Sequence, residues 1–201
     1  TGDLVFCCYE GTGSCYNVCY NIVSDVIRCC IKSNYSHVAM VLKDPTVLHP
    51  DLRGLYLWEC SSEKQPDPQD NIHKLGVQIT PLSELVNSYK GNGHIAIRRV
   101  ECKDWMFSNC NLEKIHNTVY RKPYDYNLIH LMEAQLGKDL TTRRIDSFNC
   151  SSFIAFIYTK CELLEPNTNW DEINPEDFSI TGNKLKFING ARLSNQEERL
   201  L

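Results

Sequence analysis

Two short segments fix most of what this chain can become. Ser36-His37-Val38-Ala39-Met40-Val41-Leu42 is apolar on both faces of a strand, apart from one histidine near its start. Leu55-Tyr56-Leu57-Trp58-Glu59-Cys60 is equally apolar, apart from one carboxylate. A strand that offers no polar face belongs inside a sheet that is covered on both sides. Alternation sets His37 with Ala39 and Val41, and turns Glu59 away from Tyr56, Trp58 and Cys60. A buried carboxylate is costly unless it is partnered, and a histidine on an adjacent strand would supply the partner. The plainer reading, a satisfied core histidine, stays open at this point.

The remaining elements follow from turn and cap signals. Leu4 to Cys8 reads as a buried strand after a Gly2-Asp3 turn, and Ser14 caps a helix running to about Ile31. The glycines of the intervening loop, Gly11 and Gly13, form a lone G-x-G, a weak sign of phosphate binding. Residues 61–74, with Pro66 and Pro68, read as an exposed loop before a strand over Gly76 to Thr80. Pro81 suits a first helical turn, and that helix runs to Tyr89. Gly91-Asn92-Gly93 turns into a strand from His94 to Val100. Further helices are predicted over Asn111–Tyr120 and Tyr124–Leu136, and Ser147 or Asn149 caps an amphipathic helix from Cys150 to about Leu163. After about residue 166 the chain is polar and poorly periodic. This pattern predicts an α+β fold in one catalytic domain over residues 1–201, ending in a less regular polar tail.

Composition narrows the class. Apolar residues are 42% of 201, enough for a proper core. A net charge of -4 gives no electrostatic case for nucleic acid. The dibasic pairs Arg98-Arg99, Arg121-Lys122 and Arg143-Arg144 are scattered and read as solvated positions. The 11 cysteines are odd in number, include two adjacent pairs and contain no C-x-x-C spacing. They predict neither a disulfide framework nor a cysteine zinc site. Cys15, Cys19 and Cys30 share a helical pattern with Ile22, Val23 and Val26, as small apolar residues kept reduced. No secretory n-region and h-region opens the chain, so a reducing, cytoplasmic compartment is expected. The apolar run Phe153 to Tyr158 is too short to cross a bilayer, so no transmembrane segment is expected.

Cys150 stands just past a capping residue, in the first turn of its helix. The N–H groups and macrodipole there favour an anionic sulfur and can hold the oxyanion of a tetrahedral intermediate. A buried structural cysteine is the alternative. Cysteine, histidine and a carboxylate together are what nucleophilic thiol catalysis requires.

Gly2-Asp3-Leu4-Val5-Phe6 and Ser36-His37-Val38-Ala39-Met40-Val41 precede Lys122-Pro123-Tyr124-Asp125 and Phe148-Asn149-Cys150-Ser151-Ser152-Phe153-Ile154. Both halves resemble the NlpC-type papain-like cysteine hydrolases, in swapped order. The swap resembles the circularly permuted branch that includes YiiX-like proteins, poxvirus members and lecithin:retinol acyltransferase-like enzymes. Gly76-Val77 with Pro81-Leu82, Ile97-Arg98 and Pro175-Glu176-Asp177-Phe178 also resemble the YiiX-like pattern. The resemblance implies a short antiparallel sheet packed on the helix that carries the nucleophile. It implies Cys150 as nucleophile, His37 as base, Glu59 as the third polar residue and Tyr124 near the oxyanion site. Asp125 shares the Tyr124 motif without an assigned role. The sequence departs at Ala39, where glycine is usual, and at Ser152, where the YiiX-like branch often has an acidic residue.

The implied activity is hydrolysis of an amide bond, in a peptide or acyl-amine, through a thioester. No metal or organic cofactor is expected. The alternative is a lipid acyltransferase or phospholipase, which the Asn149-Cys150 pair resembles. That branch, however, uses a third histidine where this chain has Glu59, and it often carries a membrane anchor. A second alternative is a non-catalytic host- or ligand-binding module on the same fold. The expected partner is an amide- or ester-containing substrate, in the host cytoplasm if the source is viral.

Overall fold

Six strands form one antiparallel sheet, and the two apolar segments lie inside it. The computed structural model describes residues 1–9, 34–62, 65–91, 93–125 and 143–201. In chain order the strands are β1 (Leu4–Tyr9), β2 (His37–Lys43), β3 (Leu55–Ser62), β4 (Leu75–Pro81), β5 (Gly93–Glu101) and β6 (Arg192–Arg199). Across the sheet they run β4-β3-β2-β1-β5-β6. The helices are α1 (Leu82–Tyr89), α2 (Asn109–Val119) and α3 (Cys150–Lys160). The helix expected over residues 14–31, with Cys15, Cys19 and Cys30, lies outside the described residues, as does the Gly11–Gly13 loop. Most of the helix expected from Tyr124 also falls outside them. Tyr124 itself is not helical: it forms an isolated parallel bridge with Phe148.

Alternation explains why β1 and β2 read as apolar throughout. Leu4, Phe6, Val38, Met40 and Leu42 enter the larger core, where α3 packs. Val5, Cys7, Ala39 and Val41 enter a smaller core with Leu85 and Tyr89 of α1. Gly2 closes the turn before β1 at φ 98°, with the Phe107 ring 2.4 Å from where a Cβ would sit. Only glycine fits that approach.

Two expectations need correction around α3. The spacing of Phe153, Ile154 and Ile157 suggests an amphipathic helix, yet Cys150 through Thr159 are all buried. The cause is the second correction. The polar tail supplies the missing cover: Trp170 meets Phe156 edge-on at 5.2 Å, and Phe178 meets Tyr158 at 5.9 Å. Two buried rings of that size contribute about 1.5–3 kcal/mol each, enough to hold a segment with little periodicity. The tail then adds β6 beside β5. Its charged sequence, Arg192-Leu193-Ser194-Asn195-Gln196-Glu197-Glu198-Arg199, is what a sheet edge needs. Arg98 is not a solvated position either. Its guanidinium is buried and donates to the carbonyls of Phe178 (2.7 Å), Ser179 (2.6 Å) and Ser194 (2.7 Å).

The loop 61–74 is also less exposed than its composition suggests. Asp67 is 1% exposed. Its carboxylate accepts from Lys74 Nζ at 2.7 Å and from the Ile79 N–H at 3.1 Å. The side chain substitutes for the regular ladder that a turn lacks, so the loop folds onto β4.

Gly76 ties this edge to the segment before α3. It sits at φ 149°, and a Cβ there would lie 2.1 Å from the Lys122 carbonyl oxygen and 2.8 Å from Pro123 Cα. Backbone cannot yield as a side chain does. Gly76→Ala is therefore expected to lower stability by about 3 kcal/mol, measured as a shift in urea midpoint. Gly91→Ala, at φ 74° with nothing within 4 Å, is the control and should cost only about 1 kcal/mol.

Candidate active site

The start of α3 is set by its cap. Asn149, not Ser147, is the capping residue: its side chain accepts from Ser152 N at 2.8 Å. Ser152 Oγ in turn accepts from Asn149 N at 2.9 Å. The reciprocal box explains how serine serves at a position where an acidic residue does the same work. Cys150 is the first helical residue, with 6% of its surface exposed. Its N–H and that of Ser151 belong to the helical turn that has no intrahelical acceptor.

His37 and Glu59 are brought together by sheet register. The β2–β3 ladder runs from Lys43↔Leu55 to Met40↔Trp58. Past that point β2 continues against β1, and β3 against β4. His37 begins β2 beyond the end of this ladder. Its Nε2 lies 2.6 Å from Oε2 of Glu59, which is fully buried. Cys150 also acts on the His37 ring. With Nε2 taken by the carboxylate, Nδ1 is the ring nitrogen left for the sulfur. Burial by itself lowers the histidine's proton affinity. The hydrogen bond with Glu59, the Glu59 charge and the influence of Cys150 outweigh it and raise His37 well above the usual histidine value. The arrangement raises the ring's affinity for a proton, as a base requires.

A second thiol stands close by and is kept silent. Cys60 Sγ donates to the Phe148 carbonyl at 3.0 Å. Burial, with the nearby Cys150 and Glu59, holds it well above the usual thiol range. The other members of the Tyr124 motif approach through the backbone. Tyr124 bridges to Phe148, two residues before Cys150, and Tyr124 N donates to Leu75 O at 3.0 Å. Asp125 N donates to Phe148 O at 2.9 Å, and its carboxylate pairs with Arg144 at 3.3 Å. Tyr124 is thus placed beside the α3 entry as a bridge residue rather than as the start of a helix.

The tail links the two sides of the site, which its composition did not reveal. Ser151 Oγ donates to Ile173 O at 2.6 Å. A few residues on, Glu176 Oε2 accepts from Asn34 N at 3.0 Å. Tyr35 OH donates to Glu197 Oε2 at 2.6 Å, while Glu197 Oε1 accepts from Ile180 N at 2.8 Å. One strap therefore grips the neighbour of Cys150 at one end and the approach to His37 at the other. The signal available in sequence was the Asn174-Pro175-Glu176-Asp177 start of a short turn, with Pro at its first position and Asp177 returning to Asn174 N at 2.8 Å.

Grooves also lie elsewhere among the described residues. One of about 300 Å³ is lined by Ile115, Ile145, Phe156 and Lys160, towards the far end of α3. One of about 260 Å³ runs beside Gly76, Val77, Lys122 and Pro123. All seven cysteines among the described residues are free thiols. No helix among those residues is long and apolar enough to cross a membrane.

No protein-family model matches the chain, and no curated protein does. Among solved structures it matches the crystal structure of the metalloprotein YiiX from Escherichia coli O157:H7. The match has 20% identity and a TM-score of 0.47, covering 80% of this chain and 65% of that one. Metalloprotein is the description of that protein. In this chain, among the described residues, no group of three or more His, Cys, Asp and Glu is arranged to hold a metal ion.

Proposed function

We propose that this chain is a thiol hydrolase of the permuted papain-like kind, cleaving an amide bond through a thioester. The observation that carries this reading is His37, hydrogen-bonded to the fully buried Glu59 and acted on by Cys150, the first residue of a helix. A buried carboxylate with one histidine partner is an expensive arrangement for structure alone. It is the arrangement that orients and charges a base.

The steps balance within these residues. His37 accepts the Cys150 proton as sulfur bonds to the carbonyl carbon. The negative charge on oxygen meets the Cys150 N–H and the Tyr124 hydroxyl. The imidazolium proton passes to the leaving amine as the C–N bond breaks, with Glu59 holding the ring. Water then gives its proton to His37 and attacks the thioester, releasing a carboxylic acid and the free thiol.

An activated ester tests the covalent step. Mixing the protein with p-nitrophenyl acetate should release a burst of about one equivalent of nitrophenolate. A hydroxylamine-labile acetyl group should then be found on Cys150 by peptide mapping. A purely linear release with no acetyl on Cys150 would overturn the thioester mechanism.

A further inference from the structure

Glu59 uses only one of its oxygens on His37. Its Oε1 is buried and without a hydrogen-bond partner. The residue directly opposite in the β3–β4 register is Gln78, itself 1% exposed. Opposed residues of an antiparallel pair hold their Cβ atoms about 4.5–5.5 Å apart on one face. Gln78 Nε2 donates to Ser61 Oγ at 2.8 Å, and Gln78 Oε1 also lacks a partner. Two unpartnered acceptors therefore lie on facing residues in the sheet interior. Each such group is costly to leave unsatisfied.

One exchange gives Glu59 Oε1 a donor. A glutamine amide presents two donors on one side and an acceptor on the other, and a serine hydroxyl either donates or accepts. With the amide turned over, Gln78 Nε2 donates to Glu59 Oε1, and Gln78 Oε1 turns towards the Ser61 hydroxyl. We propose that Gln78 is a positioning residue of the active site, its amide donating to Glu59 and completing a chain from Ser61 through Gln78 and Glu59 to His37 and Cys150. Gln78 touches no reacting atom. It holds the carboxylate in the rotamer that meets His37 Nε2, and it neutralises the oxygen that the histidine does not reach. The inference rests on the proposed Cys–His–Glu mechanism.

The test is the rate of Cys150 alkylation by iodoacetamide as a function of pH, in the full chain. Gln78→Met keeps the volume and removes the donor. It should slow alkylation about tenfold, as expected for one lost hydrogen bond to a charged group. Gln78→Glu is the discriminating variant, because two facing carboxylates share one proton. Protonated, the new side chain donates as the amide does. Alkylation should approach the wild-type rate near pH 5 and fall away as the shared proton is lost, a profile that a packing defect would not produce. If Gln78→Met does not fold, Gln78→Glu alone decides. If neither folds, ¹⁵N-glutamine labelling of the wild type decides, through an exchange-protected side-chain amide with contacts to Glu59. Wild-type rates and profile in folded variants, or no such protected amide, would overturn the role of Gln78. Slow alkylation of Cys150 in the wild type itself would instead overturn the underlying mechanism.

Discussion

Cys150→Ala should abolish ester and amide turnover, by about 10⁴-fold or more, as losing the nucleophile of a triad does. Cys150→Ser should be nearly as inactive, since an alcohol gives up its proton to an imidazole far less readily than a thiol does. Before any substrate is known, alkylation reads the same property. At pH 6 an ordinary cysteine is about 0.3% thiolate. Burial keeps Cys60 and Cys102 above the usual thiol range and pushes Cys161 up to about 12. Cys110 is exposed and serves as the internal reference. Cys150 has what these lack: a place at a helix N-terminus and a histidine base acting on it. It should outpace Cys110 by about 30-fold or more at pH 6. Peptide mapping after limited iodoacetamide gives the order directly. If Cys110 labels first, the thiol-hydrolase reading fails and the binding-module alternative takes its place.

The sheet was legible because its strands had no choice. Segments as apolar as β1, β2 and β3 fit only a covered sheet, and the cost of burying Glu59 alone pointed to a partner on the next strand. The cap at Asn149 was readable from local chemistry. What stayed hidden was held by contacts between distant residues. The tail carries few apolar side chains, but Trp170, Ile173 and Phe178 land on α3 and are buried. Arg98 looks like half of a solvated basic pair, yet carbonyls of the tail solvate it. Asp67 sits in a proline-containing polar loop and becomes a buried anchor through Lys74. Arg98 and Asp67 are buried because particular partners brought to them by the fold satisfy them. Periodicity carries no trace of such partners. Gln78 is the same case inside a strand: its neighbours Val77 and Ile79 face the larger core, and only the register with Glu59 gives it a meaning.

Glu59→Ala should cost about 3–5 kcal/mol of stability, because it leaves the His37 ring buried with its charged form unmatched. Glu59→Gln keeps the volume and removes the charge. Without that charge the imidazolium is less favoured and burial governs His37, so the pH for half-maximal Cys150 alkylation should move upward. At pH 6 the rate should fall about 100-fold, the lower range for losing effective acid–base assistance. Stability should behave differently from reactivity. The folded-state value of His37 lies above its unfolded value of about 6.5. Its contribution is therefore fully present below pH 6.5 and is lost as pH rises through the folded value. A double variant, His37→Leu with Glu59→Leu, lacks that dependence. It also removes both desolvation costs, so it should recover most of what Glu59→Ala loses. Urea midpoints at pH 6 and pH 9 should show the double variant gaining on the wild type as pH rises, while p-nitrophenyl acetate turnover stays abolished. If the double variant is instead as unstable as Glu59→Ala at both pH values, the pair holds the fold together and its retention says nothing about catalysis.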